Sequence, residues 1–496
     1  MSNSKQYILS IDQGTTGSRA IIYNAKGAPK ASAYQEFNQY YPKPGWVEHD
    51  PLEILSSVQA VIGRALNAAR ISGKQIQAIG ITNQRETAVL WERSSGRPIG
   101  RAIVWQDRRT DALCRALKRK GLEPLIRKKT GLLLDPYFSG TKLRWRFDAE
   151  PALKKRAQRN EVCFGTIDSW LLYHLTGKSV HATDFTNASR TLLFDLKRKQ
   201  WDSKLCKLFH VPKSILPQAK PSNSSFGVSQ NFKPLPDGIP IRAMMGDQQA
   251  ALFGQSCYAA GDSKNTYGTG CFLLLNVGSH FTLSRAGLLT TIACNEKGNP
   301  VYALEGSIFI AGAAIQWLRD GLQIIDDAAE SETIAKRTPD AGDVVVIPAL
   351  TGLGAPYWRA DVRGAIFGIT RGTTQQMIIK ATLDSIAFQV TEIFNLMVQE
   401  SGVRIRALKV DGGASQNRYL MQFQANLLNV PVLKTPLSES TAWGAAKLAG
   451  LSSGFWANVR SLDRKVRYER FRPQLAALSR KRLLGRWKES IKRLIS

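Results

Sequence analysis

Two carboxylates in this 496-residue chain stand where an acid could do chemistry, one near the start and one near the middle. Asp12 closes an apolar run, Tyr7 to Ile11, and opens the turn-rich segment Gln13-Gly14-Thr15-Thr16-Gly17-Ser18, after which Arg19 to Tyr23 reads as a second strand. A carboxylate at a strand end, followed by glycines and hydroxyls, suits a hydrated divalent cation and the oxygens of a phosphate. Asp12 would face the cation, and loop amides and threonine hydroxyls the anion. Asp247 follows the apolar run Ile241 to Met245 and leads through a Gln pair into a helical pattern; an acid so placed can take a proton. Downstream, Tyr267-Gly268-Thr269-Gly270 lies between Asn265-Thr266 and the strand-like Cys271 to Val277. It predicts a tight hairpin whose backbone amides face an anion. Each feature alone also reads as an ordinary turn or an ordinary N-cap acid. Together they place a phosphate-type hairpin in each half of the chain.

The elements that must position these groups are readable on either side of them. A third strand, Ala31 to Phe37, precedes the stiff aromatic segment 41–51. Asp50 then caps a helix with Pro51 at its first position and Glu53 spaced for a capping box, and Leu55, Val58, Ile62 and Leu66 mark its buried stripe. Ile76 to Ile81 is a buried strand that delivers Thr82-Asn83-Gln84-Arg85-Glu86 at its carboxyl end, where open α/β sheets bind ligands. Thr87 to Trp91 and Ala102 to Trp105 are short strands, and 153–238 carries no chemistry, with His174, His181 and His210 read as structural or exposed. In the second half, strands Leu288 to Ile292 and Val301 to Glu305 lead to a helix with Gly312 and Gln316 one turn apart on one face. Val344 to Ala349 reads as an apolar strand, and a long amphipathic helix follows Thr373. Leu408 to Val410 then delivers Asp411-Gly412-Gly413 into a helix capped by Asn417, where glycines let a flat purine approach the backbone. Two phosphate hairpins, one per half, are what a duplicated actin-like or ribonuclease-H-like α/β fold uses to clamp ATP in the cleft between two lobes.

Composition sets the outer bounds. With 43% hydrophobic and 22% charged residues the chain is globular rather than disordered. No apolar run reaches bilayer length, and Tyr7 to Ile11 is too short for a signal-peptide core, so a cytoplasmic location is expected. Six cysteines without CxxC pairs and five histidines without ligand spacing argue against a disulfide framework or a zinc site. The formal net charge of +29 attracts polyanions. Much of the excess lies in 115–159 and in the tail from Arg460 to Arg493. The tail is amphipathic: Leu484, Trp487, Ile491 and Leu494 recur at helical spacing with Arg486, Lys488, Lys492 and Arg493 between them. It reads as a packed terminal helix with a solvated basic face. Peripheral contact with an anionic surface is the alternative, and no motif supports specific nucleic-acid binding.

The segments IDQGTT, YPKPGWVEHDP, GITNQRET, AIVWQDRRT, DPYFSGTK, GTIDSWL, TDFTNASRT, GDQQAALFGQ, KNTYGTGCF, IQWLRD, PALTGLGAPYW, GAIFGITRGT, DGGASQN and TAWGAA resemble, in order, the FGGY carbohydrate kinase family. GITNQRET and DPYFSGTK place the resemblance on the branch that acts on glycerol rather than on pentuloses. It covers Tyr7 to about Trp456, and the tail matches only loosely. It implies an ATP- and Mg²⁺-dependent kinase that makes sn-glycerol 3-phosphate between two actin-like lobes and assembles as a dimer or tetramer. The implied lobes are 1–256, with the glycerol site and first phosphate loop, and 257–456, with the nucleotide site; 457–496 would be a basic helical tail on the second lobe. Carried over by position, Arg85, Glu86, Tyr137 and Asp247 resemble the groups that hydrogen-bond glycerol, with Gln248 beside them and Trp105 and Phe272 as an apolar wall. Asp247 is the implied general base and Asp12 the implied metal ligand. Thr15, Thr16, Gly17, Arg19, Thr269, Gly312, Gln316, Gly413 and Asn417 are implied at the nucleotide. Position 17 is glycine where the family's first loop usually has serine, which removes one side-chain contact to phosphate and leaves the amide. Another FGGY kinase acting on a sugar or longer polyol is the alternative, and a non-metabolic actin-like ATPase or a basic interaction protein the reading from a different class.

Overall fold

A computed structural model describes residues 6–359, 361–437, 439–464 and 466–496. The first sheet is built from β1 (Tyr7–Gln13), β2 (Gly17–Asn24), β3 (Pro29–Glu36), β4 (Ile76–Asn83) and β5 (Ile241–Gly246), in the order β3-β2-β1-β4-β5. β1, β2 and β3 form an antiparallel meander, while β4 and β5 run parallel to β1. The parallel joins need crossovers, and helix α1 (Pro51–Ala69) supplies the one between β3 and β4. Asp50 caps α1, accepting from Leu52 N. The expected capping box does not form. Glu53 is taken up instead by Asn38 N (3.1 Å) and the Tyr40 hydroxyl, because the loop after β3 crosses over the helix start and offers the carboxylate stronger donors than the cap amide.

The second sheet contains β6 (Ser263–Tyr267), β7 (Cys271–Gly278), β8 (Leu289–Cys294), β9 (Pro300–Ile308), β10 (Leu408–Asp411), β11 (Val432–Lys434) and β12 (Glu469–Phe471), in the order β8-β9-β7-β6-β10-β11-β12. Its central five strands, β9-β7-β6-β10-β11, repeat the order and directions of the first sheet. The two halves are therefore one design used twice. The apolar run 344–349 yields a strand at Val345–Ile347, but it pairs with Ala365–Phe367 outside this sheet. β12 comes from the tail that sequence patterning assigned to helix alone; three residues are too few to show a period.

One helix ties the halves together. α2 (Asp247–Gly254) begins at Asp247, and α5 (Ser440–Ser452), although late in the chain, lies against the first sheet. The Ser10 hydroxyl donates to Ala442 O at 2.7 Å, and a Cβ at Gly80 would stand 2.3 Å from Ala445 O. Where α2 and α5 cross, a Cβ at Gly444 would meet Ala250 O at 1.9 Å and one at Gly254 would meet Ser440 O at 2.1 Å. Backbone touches backbone there, so a methyl group must force the helices apart. Gly444→Ala is expected to lower the unfolding free energy by about 1–3 kcal/mol, as overpacking does. Urea denaturation checks it; a loss under about 0.5 kcal/mol would mean that the crossing has slack.

Before α5 in the chain come α3 (Gln375–Ser401), capped by Thr374, and α4 (Arg418–Leu428), capped by Asn417. The final helix α6 (Ala477–Ile495) docks on α3: Trp487 stacks on Phe388 with ring centroids 5.3 Å apart and planes 13° from parallel, and Ile491 is buried beside it. Leu484 and Leu494 are half-buried against the same core, so the predicted stripe is the docking face. Among the described residues all six cysteines are buried and free, and no helix is long and apolar enough to cross a membrane.

Candidate active site

Strand register gathers the first set of groups. Asp12 pairs across β1 and β4 with Thr82, while Met245 and Gly246 pair with Thr82 and Asn83. Asp12, the Gln84-Arg85-Glu86 segment and Asp247 thus leave the sheet at one edge. Burial pushes the Asp12 carboxyl up to about 7; the Arg19 cation opposes this and the Asp247 charge adds to it. The β1–β2 turn is closed by Gly14 N on Gly17 O at 2.9 Å. A Cβ at Gly17 would lie 2.5 Å from the Tyr34 hydroxyl and 2.7 Å from Gln35 O, so the neighbouring strand excludes a serine here. Arg19, expected at the nucleotide, holds Glu439 of the second half in an ion pair and stacks over Tyr34.

The second half brings its own hairpin to the cleft. β6 and β7 join through Gly268-Thr269-Gly270, with Tyr267 opposite Cys271. Gly312 N donates to Gly268 O at 3.0 Å, and Ala311 N and Ala313 N donate to Thr269 O at 2.8 and 3.1 Å. A Cβ on Gly312 would fall 2.6 Å from Gly268 O, which accounts for glycine at that helix start. Gln316 ends the same helix and is exposed. Asp411 sits beside Thr266, and the next residue, Gly412, takes φ +89° with Tyr267 O only 2.4 Å from where a Cβ would be. Gly413 is exposed at that turn. Asn417 spends its side chain on the helix, accepting from Leu420 N at 2.9 Å and donating to Ser331 Oγ at 3.3 Å. One oxygen of Asp411 is buried with no partner.

The groups implied at the polyol lie beside an aromatic wall. Tyr137 packs 5.5 Å from Trp105, and Trp105 lies 6.4 Å from Phe272, ring to ring, so the wall draws on both halves. The Trp105 indole donates to Thr15 Oγ1 at 2.9 Å, joining the wall to the first hairpin. Beside it, Arg85 Nε stands 3.1 Å from Asp247 Oδ1, an oxygen that also accepts from Gln248 N at 2.7 Å.

Three groups here were invisible to sequence patterning. Arg85 is gripped in bidentate fashion by Glu305 of β9, at 2.7 and 2.8 Å, and donates to Gln249 at 3.2 Å. Glu86 accepts from Arg190 Nε. Arg190 belongs to the 153–238 segment in which no chemistry was expected; the TNASRT segment carried the family resemblance without indicating a role. Burial pushes the Glu305 carboxyl up, yet the Arg190 and Arg85 cations outweigh it and hold it down at about 2. Burial pulls the third group, Lys264, down to about 8, partly offset by Asp411, Asp247 and Glu305. Its ammonium donates to Gln248 and, at 2.9 Å, to Thr266. Glu305 stands inside an apolar strand, Lys264 inside a short polar one and Arg190 in a loop, and a single charge in any of these has no local signature. His174 and His181 are half-buried and held neutral, near 4, by desolvation, and His210 pairs with Asp148 at 2.7 Å.

Two copies of one α/β design, each presenting a glycine hairpin to a shared cleft with carboxylates at its edge, define an actin-like phosphotransferase fold. Comparisons with known proteins narrow this. The N-terminal-domain profile of the FGGY family of carbohydrate kinases matches residues 7–254, and the C-terminal-domain profile matches 263–453. The chain belongs to the FGGY family of carbohydrate kinases. It is 50% identical to the glycerol kinase of Bacillus cytotoxicus over 486 residues, 98% of each chain, and 48% identical to that of Xanthomonas axonopodis pv. citri over 488 residues, again 98% of each. The crystal structure of Plasmodium falciparum glycerol kinase with ADP superposes with a TM-score of 0.93 at 37% identity, over 99% of both chains.

Proposed function

We infer that this chain is a glycerol kinase, transferring the γ-phosphoryl group of ATP to glycerol to give sn-glycerol 3-phosphate and ADP. The reading is carried by one arrangement: the Arg85–Asp247 pair beside Glu86, under the Trp105, Tyr137 and Phe272 wall, in a chain that glycerol kinases match from end to end. A triol has no charge and little surface, so recognition rests on donors and acceptors whose loss would leave buried polar groups unpaired. Arg85 and Glu86 supply such a pair, Tyr137 a phenolic hydroxyl, and the aromatic rings close the space beyond the third carbon.

Asp247 acts as general base on the terminal hydroxyl. Gln248 N and Arg85 Nε both engage Oδ1, so that oxygen orients the carboxylate and Oδ2 takes the proton. The amides and hydroxyls of Thr15, Thr16 and Gly17 on one side and Thr269 on the other hold the transferring phosphoryl group in line. Gly312, Gln316, Gly413 and the Asn417 turn line the nucleotide's place. Positioning and fixed dipoles supply most of the rate. Among the described residues no set of three metal-ligating side chains stands together. Asp12 with Asp247 nonetheless fits magnesium, which takes one or two carboxylates and completes its shell with water and phosphate oxygens; a cation would also offset the burial and the Asp247 charge that raise the Asp12 carboxyl. Asp12 would be its principal ligand, and the ion would neutralise charge on the β- and γ-phosphates.

The same reading divides the chain into lobes at 1–256 and 257–456 with a tail at 457–496, acting in the cytoplasm as a homo-oligomer. The exposed cations of α6 leave room for peripheral contact with anionic surfaces.

Substrate ranking tests the reading. Steady-state kcat/KM should be highest for glycerol, about 10–100-fold lower for propanediols, and near background for xylulose or ribulose. A pentulose used as efficiently as glycerol would move the assignment to another FGGY kinase.

A further inference from the structure

Four charged side chains, Arg85, Glu86, Arg190 and Glu305, lie against one another with at most 2% of any of them exposed. They come from three separated stretches: the end of β4, the loop after the short helix Phe185–Ala188, and the middle of β9. Two cations and two anions balance. Burying four charges stabilises a fold weakly at best, since desolvation cancels most of the attraction. What the cluster does produce is geometry.

Glu305 takes both terminal nitrogens of Arg85 and stands 3.2 Å from Arg190 Nη2. The Arg85 fork is therefore committed to the second half of the chain, and its Nε edge is left toward Asp247. Arg190 Nε holds Glu86, whose backbone sits at φ +61°, a left-handed conformation that costs a glutamate about 1–3 kcal/mol unless its surroundings impose it. Ser139 Oγ donating to Glu86 O at 2.7 Å clamps the same residue from the other side. Arg190 itself is flanked by the rings of Tyr137 and Phe138, 5.4 and 5.2 Å from its guanidinium carbon, and its Nη1 has no hydrogen-bond partner.

We propose that Glu305 and Arg190 are positioning residues for glycerol recognition, with Glu305 aiming Arg85 and Arg190 aiming Glu86. Because Glu305 is on the second sheet and the residues it steers are on the first, the polyol site is complete only when the two halves are docked. The proposal rests on the glycerol reading above and adds to it the residues that set specificity.

The test is steady-state kinetics of Glu305→Gln with glycerol, 1,2-propanediol and ATP varied separately, alongside thermal melting and a charge-balanced Arg190→Gln/Glu305→Gln double variant. Glu305→Gln should lower kcat/KM for glycerol by about 10–100-fold, the range seen where the partner that orients a metal ligand is lost. Most of that loss should appear in the glycerol KM. The ATP KM should move less than about 3-fold, and the preference for glycerol over propanediol should narrow. The double variant removes the uncompensated buried charge, so it should melt near the parent yet keep the glycerol defect. Three results overturn the proposal: an unchanged glycerol-to-propanediol ratio, equal losses toward ATP and glycerol, or a double variant that regains parental glycerol kinetics along with stability. A parent enzyme with no activity on glycerol would instead remove the underlying reading, whatever the variants do.

Discussion

Asp247→Asn should lose about 10²–10⁴ in kcat, the range removed with a general base, while its KM for ATP stays within a few-fold of the parent. The variant isolates chemistry from folding. Asparagine keeps an oxygen where Asp247 Oδ1 accepts from Gln248 N at 2.7 Å and faces Arg85 Nε at 3.1 Å. It loses only the basic oxygen. Asp247 opens α2 directly after β5, so its position is set by strand register rather than by its own charge. Steady-state turnover at saturating glycerol, with melting recorded in parallel, decides the matter. Turnover within a few-fold of the parent would remove Asp247 from the base role.

Arg85→Ala should damage both stability and selectivity. Its guanidinium is the bidentate partner of Glu305, which is fully buried. Breaking a buried pair by removing one partner costs about 3–5 kcal/mol when the other charge is left without compensation; Arg190 remains 3.2 Å from Glu305, so the loss should fall toward the lower end of that range. The pH profile gives a second readout. In the fold Glu305 is held at about 2, against roughly 4.3 in an unfolded chain. Its ion pairs therefore stabilise the parent above that unfolded value, and the contribution is lost as pH falls through about 2. Without Arg85 the folded value rises toward the unfolded one, so this contribution is already reduced at neutral pH, and the variant should lose less stability than the parent as pH falls from roughly 4.3 to about 2. In kinetics, each hydroxyl left without its partner should lower kcat/KM for glycerol by about 10–100-fold. Propanediol, which has one hydroxyl fewer to lose, should suffer less. An undiminished preference for glycerol over propanediol in a folded Arg85→Ala protein would place substrate recognition elsewhere.

Much of this molecule was legible in the order of its residues, for local reasons. Alternating and continuous apolar runs mark β1, β4, β5 and β7, because a strand's partners are chosen by which faces are apolar. Glycine and hydroxyl clusters at Asp12 and Gly268 mark hairpins, because few residues tolerate such turns. The stripe Leu484, Trp487, Ile491 and Leu494 marks the docked face of α6, because helical period alone places those side chains on one side. Arg85, Glu86 and Asp247 stand together because each directly follows a strand of one sheet, and parallel strands bring their carboxyl ends to one edge.

Other features exist only in three dimensions. Glu305 lies mid-strand among apolar neighbours and Arg190 in a loop far from Glu86 in sequence; only the approach of the two sheets makes them a cluster, and a lone buried charge carries no periodicity by which to be found. Gly17 is dictated by the Tyr34 side chain and Gln35 backbone of the adjacent strand, and Gly444 by the backbone of a helix from the other half. Glu53 had the spacing of a capping box but was claimed by Asn38 and Tyr40. The residue order by itself determined most strands, the two hairpins and the identities of the groups at their ends, since those follow from neighbours along the chain. The tertiary structure alone decided which charges face one another across the cleft and how closely the halves approach, because both depend on backbone distances between segments hundreds of residues apart.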